Sequence, residues 1–247
     1  MKDNKHVEYK RIVDGASVAV LMVHGILSTP NHFRELIPLI PEDYSVYAMV
    51  TDGHCGTVED FSHSSLASWE KSVDDAVNEL LKTHDDIYMV GYSLGTLLSI
   101  DQAIKNPHIK KLFLIAVPIK VRVRLRMIGM ATKIYVKKVK EDDVYTSACL
   151  ESYGVTDSKN IFKYLGWVPR FLDLFKKISE VRGALRELET PSIAFQSVRD
   201  ELVSPKSISI LKRESNMRVE SLENSTHFYY EPNDLKRLKQ AFTEFLK

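Results

Sequence analysis

Short apolar runs alternate with amphipathic stretches through the first 117 residues of the chain. Four runs, at 18–23, 46–50, 87–90 and 112–117, are apolar at nearly every position rather than at every second one. Strands of this kind are covered on both faces, as in a parallel sheet sandwiched between helices. Residues 66–82 place Leu66, Trp69, Val73, Ala76, Val77, Leu80 and Leu81 on one helical stripe, with Lys71, Asp74, Asp75 and Asn78 off it. A second helix is predicted over 93–105, closed by Asn106-Pro107. Residues 7–13 fit an antiparallel edge strand. Later come a strand at 192–197, a short helix at 207–213 and a strand at 217–222. An amphipathic helix at 233–247 carries Leu235, Leu238, Ala241, Phe242 and Phe245. Strands alternating with helices in this way predict βαβ units and a mostly parallel central sheet flanked by helices.

The alternation breaks down over 118–182, which reads as helical and loop-like. That segment carries 14 Lys and Arg against 7 Asp and Glu, in a chain whose net charge is only +1. An insertion there overhangs the carboxyl ends of the strands, where open α/β sheets bind ligands. It is therefore expected to be a helical lid, with 1–117 and 183–247 forming one core. Apolar residues interleave with the basic ones, among them Val123, Leu125, Met127, Ile128, Ile134 and Val136, so part of the lid is expected to line a pocket. The basic side chains Arg122, Arg124, Arg126, Lys133, Lys137 and Lys138 form either a plain solvated face or an attractor for anionic substrates or a lipid surface.

A chain of 247 residues with 44% apolar content suits a single α/β domain with one insertion. Its near-neutral charge gives no pull toward nucleic acid. No apolar run approaches the roughly 20 residues that span a bilayer, and the amino terminus lacks the apolar core of a secretory signal. Two cysteines, Cys55 and Cys149, make no disulfide framework and fit free thiols in a reducing compartment. A cytoplasmic location is the expectation.

Gly91-Tyr92-Ser93-Leu94-Gly95 follows the apolar run 87–90 and opens the helix at 93–105. This is the G-x-S-x-G nucleophile elbow in its strand–turn–helix setting. The turn is so sharp that small residues are needed two before and two after the serine. Its hydroxyl then stands at a helix amino end, where the dipole and free N–H groups favour developing negative charge. Serine needs a base that an acid orients. In this architecture both follow the serine, acid first. Asp200 comes just after the strand at 192–197, and His227 just after the strand at 217–222. Glu201, next to Asp200, competes for the acid role. His84 and His108 read as solvated loop residues, and Asp85 and Asp86 as turn residues. Two backbone N–H groups would complete an oxyanion hole: that of Leu94, and one from His24-Gly25-Ile26-Leu27, assigned to Ile26. His24 itself reads as a structural support of that loop.

On these motifs the chain resembles the α/β-hydrolase superfamily, and within it bacterial carboxylesterases and monoacylglycerol lipases of the serine aminopeptidase grouping. The resemblance rests on His24-Gly25-Ile26, Gly53-His54-Cys55-Gly56, the elbow at Ser93, Asp200 followed by Leu202-Val203, and His227. It covers nearly everything outside the lid. Cys55 is an extra residue where relatives have Gly-His-Gly, and Thr226 stands where glycine is common. The resemblance implies an α/β-hydrolase fold and a cofactor-free serine hydrolase that cleaves small acyl esters through an acyl-enzyme. A thioesterase or acyltransferase uses the same triad and remains an alternative. So does a catalytically silent protein that binds a small hydrophobic molecule. No metal-ligand spacing such as H-E-x-x-H is present, and Cys55 near the site's rim reads as incidental.

Overall fold

A computed structural model describes residues 7–140 and 142–247; the first six residues of the expected core and Glu141 of the expected lid lie outside it. Seven strands form one sheet: β1 (Tyr9–Arg11), β2 (Val18–Val23), β3 (Ser45–Met49), β4 (Asp86–Tyr92), β5 (Ile109–Ile115), β6 (Ser192–Ser197) and β7 (Arg218–Leu222). Their order is β1-β3-β2-β4-β5-β6-β7. β1 pairs antiparallel with β3 at the edge, and every other pairing is parallel. The helices are α1 (Val58–His63), α2 (Leu66–Leu80), α3 (Leu94–Lys105), α4 (Leu125–Tyr135), α5 (Val144–Ser152), α6 (Trp167–Ala184), α7 (Lys206–Glu214) and α8 (Pro232–Leu246).

Side chains of a strand point alternately to its two faces, and β2 shows why its sequence is apolar throughout. Ala19, Leu21 and Val23 enter a core with Trp69 and Val73 of α2, Leu97 of α3 and Val181 of α6. Val18, Val20 and Met22 enter the opposite core, with Phe113, Phe195 and Phe242 of α8. The stripe read in α2 is the one it buries, apart from Leu81, the half-buried residue that caps its end, and Ser65 and Ser68 close its start in a reciprocal capping box.

Some local features differ from the sequence reading: Asp86, expected in a turn, opens β4 opposite Val18. Helix α1 was not expected; six residues are too few for a periodic signal, and its start is fixed by a Thr57–Asp60 capping box. His84 is buried, not solvated. Its Nδ1 lies 2.9 Å from the Leu80 carbonyl and its Nε2 2.7 Å from Ser45 Oγ, so it ties the end of α2 to the start of β3. His108 is exposed as expected.

Between β5 and β6 the chain forms α4, α5, a 3-10 turn (Ile161–Gly166) and α6. Helix α6 crosses residue 182, the boundary expected from sequence. Its final turns belong to the core, because Ile178 and Val181 pack there and Lys177, buried beside them, pairs with Glu70 of α2 and Asp101 of α3. Among the described residues no helix is long and apolar enough to cross a membrane.

Candidate active site

β4 runs straight into α3 through Ser93, whose backbone sits at φ 51°, ψ −118°. Few non-glycine residues occupy this region, and such strain clusters at functional sites. The two flanking glycines are needed for steric reasons. A Cβ at Gly91 would lie 2.7 Å from the Thr96 Cα, and one at Gly95 would run into the Val23 carbonyl of β2. The elbow is pinned further by the Ser93 N–H, which donates to the Ile115 carbonyl at 2.9 Å. Leu94 opens α3, so its N–H has no partner within the helix.

Asp200 and His227 meet. The carboxylate Oδ2 lies 2.7 Å from His227 Nδ1, and Oδ1 accepts the backbone N–H groups of Leu202 and Val203, each at 2.7 Å. Both side chains are buried. With Nδ1 donating to Asp200, Nε2 is the ring nitrogen left to act as acceptor. The imidazole rests against Tyr92, the residue before the nucleophile, with ring centroids 5.2 Å apart. Among the described residues Ser93 Oγ makes no hydrogen bond to His227, whose ring bonds to Asp200. Glu201 does not reach the imidazole. Its Oε2 accepts the backbone N–H of His227 at 3.0 Å, which leaves Asp200 as the carboxylate on the ring.

Other residues hold the histidine loop, and sequence reasoning did not find them. Asp234, at the start of α8, accepts the N–H groups of Asn224 and Ser225 and the Ser225 hydroxyl, all within 3.0 Å. The Tyr92 hydroxyl donates to the His227 carbonyl at 2.9 Å. His32 stacks on Tyr92 with centroids 3.4 Å apart and contacts the Tyr230 hydroxyl at 3.0 Å. Burial pushes its pKa well down, so it stays neutral.

The loop after β2 lies beside the nucleophile, since a Cβ on Gly25 would come within 2.9 Å of Ser93 Cβ. His24 holds that loop: its Nε2 accepts the Thr51 N–H at 3.2 Å, so Nδ1 carries the proton that bonds to the Gly25 carbonyl at 2.8 Å. Burial lowers the His24 pKa to about 4 and that of neighbouring His54 to about 3. Burial also pushes the thiols of Cys55 and Cys149 up to about 12, so neither is a reactive thiolate near neutrality. Both are free cysteines.

Between this loop and the helical insertion lies a cavity of about 470 Å³. Ile26 and Leu27 line it, as do Leu202 and Phe228, which lie close in sequence to Asp200 and His227. Val123, Met127 and Ile134 line it from α4 and the segment before it, while Leu125, Ile128 and Val136, expected to share that role, are exposed outward. An aromatic wall of Tyr135, Tyr164 and Trp167 was not read from the sequence. The volume falls within the roughly 300–1,000 Å³ of small-molecule sites. Among the described residues no group of three or more His, Cys, Asp or Glu side chains is arranged to hold a metal ion.

Residues 15–231 match the family described as serine aminopeptidase, S33. A thermostable monoacylglycerol lipase of Bacillus sp. (strain H-257) is 23% identical over 245 residues, spanning 94% of this chain and 92% of its own. A structure reported for the metagenome-derived lipolytic enzymes LipS and LipT superposes with a TM-score of 0.73 at 19% identity, covering 98% of both chains. The monoacylglycerol lipase of Paleococcus ferrophilus superposes with a TM-score of 0.70 at 17% identity, covering 97% of this chain and 98% of the other. At such identities the structural likeness concerns the fold.

Proposed function

The chain belongs to the serine aminopeptidase (S33) family of hydrolases and has the α/β-hydrolase fold, and from that premise we propose that it is a serine carboxylesterase or lipase-like enzyme cleaving acyl esters through an acyl-enzyme. The observation that carries this reading is the buried Asp200–His227 pair set against a strained serine elbow. Ser93 Oγ attacks the ester carbonyl while His227 Nε2 takes its proton. Asp200 fixes the tautomer of the imidazole and stabilises the imidazolium. The oxyanion is held by the N–H groups of Leu94 and Ile26. Collapse expels the alcohol, which leaves with the proton from His227. Water then attacks the acyl-enzyme with His227 again as base, and the carboxylic acid departs.

Residues 118–182 act as the lid, and the cavity beneath them receives the acyl chain. Its apolar lining favours an uncharged chain over a peptide, and the lipase names of the relatives agree with a monoacylglycerol-like or shorter ester. On the outer side, Leu125 and Phe162 are 85% and 72% exposed among the surplus basic residues, which supports a weak contact with a lipid surface.

The test is a panel of p-nitrophenyl esters from acetate to palmitate, with Ser93→Ala alongside and fluorophosphonate labelling of the native chain. Turnover is expected to fall by a factor on the order of 10⁴ or more in Ser93→Ala, with labelling confined to Ser93. Undiminished hydrolysis in that variant would remove the assignment.

A further inference from the structure

Glu201 is almost fully buried beside the triad, yet its second oxygen is left over. Oε2 accepts the His227 N–H at 3.0 Å. Oε1, also buried, makes no hydrogen bond among the described residues and faces Arg126 Nε at 3.5 Å. A buried carboxylate without a cation is costly, so Arg126 matters more here than its exposure implies. Arg126 belongs to α4 of the insertion, not to the core. Its guanidinium lies 3.8 Å from the ring centroid of Tyr145 on α5. That ring packs edge-on against Tyr229, two residues past His227, at 5.1 Å. The backbone repeats the connection: the Arg122 and Arg124 N–H groups donate to the carbonyls of Leu202 and Glu201 at 2.7 and 3.0 Å.

We infer that Glu201 is a positioning residue for His227, and that Arg126 is the contact through which the helical insertion sets that residue's orientation and the proton affinity of the imidazole. The inference rests on His227 being the base. With the insertion seated, Arg126 holds Glu201 so that its other oxygen fixes the histidine backbone. Glu201's negative charge favours the imidazolium and Arg126's positive charge offsets it. Lifting α4 removes the cation, so the histidine becomes more basic and its loop less restrained.

Few other charges face the imidazole. Asp200 lies at Nδ1, and Arg122 donates to the Asp200 carbonyl at 2.9 Å. His32, from the 3-10 turn after β2, is neutral through burial. The hydroxyls of Tyr92 on β4 and Tyr230 are pushed up by burial and stay protonated, as does the Cys149 thiol of α5. Arg34, near His32, is paired with Glu151. Asp200, Glu201, Arg122 and Arg126 are therefore the charged groups nearest the imidazole among the described residues.

The experiment uses the full chain in four variants: Arg126→Gln, Arg126→Lys, Glu201→Gln and Glu201→Ala. His227 is titrated by NMR of its imidazole carbons, and the acid limb of kcat/KM is followed with a neutral p-nitrophenyl ester. Arg126→Gln is expected to raise the His227 titration by on the order of half a pH unit and Glu201→Gln to lower it by a similar amount. Arg126→Lys keeps the native midpoint. Glu201→Gln retains an acceptor for the His227 N–H and holds its plateau kcat within a few-fold, whereas Glu201→Ala loses about tenfold in kcat at unchanged KM. Arg126 is half exposed, so Arg126→Gln is expected to fold even where a Glu201 variant does not. Midpoints that stay in place in Arg126→Gln, or that move the same way in both charge-removing variants, overturn the inference. Opposite shifts in the NMR titration with no matching shift in the kinetic limb leave the electrostatics standing and remove His227 as the base.

Discussion

No residue of β2 is more than 7% exposed, whereas α4 in the insertion leaves Leu125 85% and Ile128 56% exposed. Both segments are rich in apolar residues, so composition does not distinguish them. β2 buries both its faces, and the elbow is held against the Val23 carbonyl of β2 and the Ile115 carbonyl of β5. Helix α4 of the insertion buries only Met130 and Ile134, keeps Met127 half-buried over the cavity and leaves its other residues exposed. Precision at the reacting atoms comes from the first region. In the proposed mechanism the second governs what reaches them, through the largely exposed α4.

The sharpest way to break this contrast is one substitution made in each region. Gly95→Ala forces a methyl group into the Val23 carbonyl, which cannot move without displacing β2. A loss of about 3 kcal/mol in urea unfolding is expected, with activity falling as the elbow opens. Gly129→Ala in α4 meets nothing within 4 Å and removes the flexibility of a mid-helix glycine. It is expected to stabilise by about 0.5–1 kcal/mol. Equal effects of the two changes would mean the regions are not built differently.

The same difference explains what could be read from the chain. The elbow was legible because its requirements are local: an apolar strand, small residues at fixed offsets and a helix start. Asp200 and His227 were legible from their places after β6 and β7. Asp234 and Tyr92 left no pattern, and Glu201 was read only as a rival to Asp200, because each acts through a hydrogen bond whose partner is fixed only by the fold, from 9 residues away (Asp234–Ser225) to 135 (Tyr92–His227). His84 misled because a polar residue after a helix looks solvated until the neighbouring strand start, Ser45, is known to cover it. In α4 the apolar pattern was visible, but not which apolar residues would face the cavity.

Acid offers another contrast. His24 and His54 support the core side of the site and are held neutral by burial, with pKa values near 4 and 3. Unfolded histidines take up a proton below about pH 6.5. The unfolded state thus binds more protons than the native one, and stability falls as pH drops from about 6.5 toward those folded values. The expected slope is about 1.4 kcal/mol per pH unit for each histidine. Thermal melts between pH 7.5 and 4.5 check this, and His54→Asn is expected to flatten the decline. A melting temperature constant over that range would mean the histidines are not buried neutral.

The smallest effect belongs to the charges of the insertion. Of its six clustered cations, three are already engaged: Lys133 with Asp143, Arg126 with Glu201, and Arg122 with carbonyls of the acid loop. Arg124, Lys137 and Lys138 are exposed and make no ion pair among the described residues. Of the six, these three are the ones the proposed mechanism leaves to draw an anionic ester toward the cavity. Screening acts over about 10 Å at 0.1 M salt, so the attraction operates through solvent and is weak. Raising salt from 50 to 300 mM is expected to lower kcat/KM a few-fold for an ester with an anionic chain end and to leave a neutral ester unchanged. Replacing Arg124, Lys137 and Lys138 together by glutamine is expected to abolish the difference while leaving the plateau kcat for neutral esters intact. Equal salt responses of the two esters in the native chain would make the basic surface of the insertion a solvated face, with no part in selecting what enters.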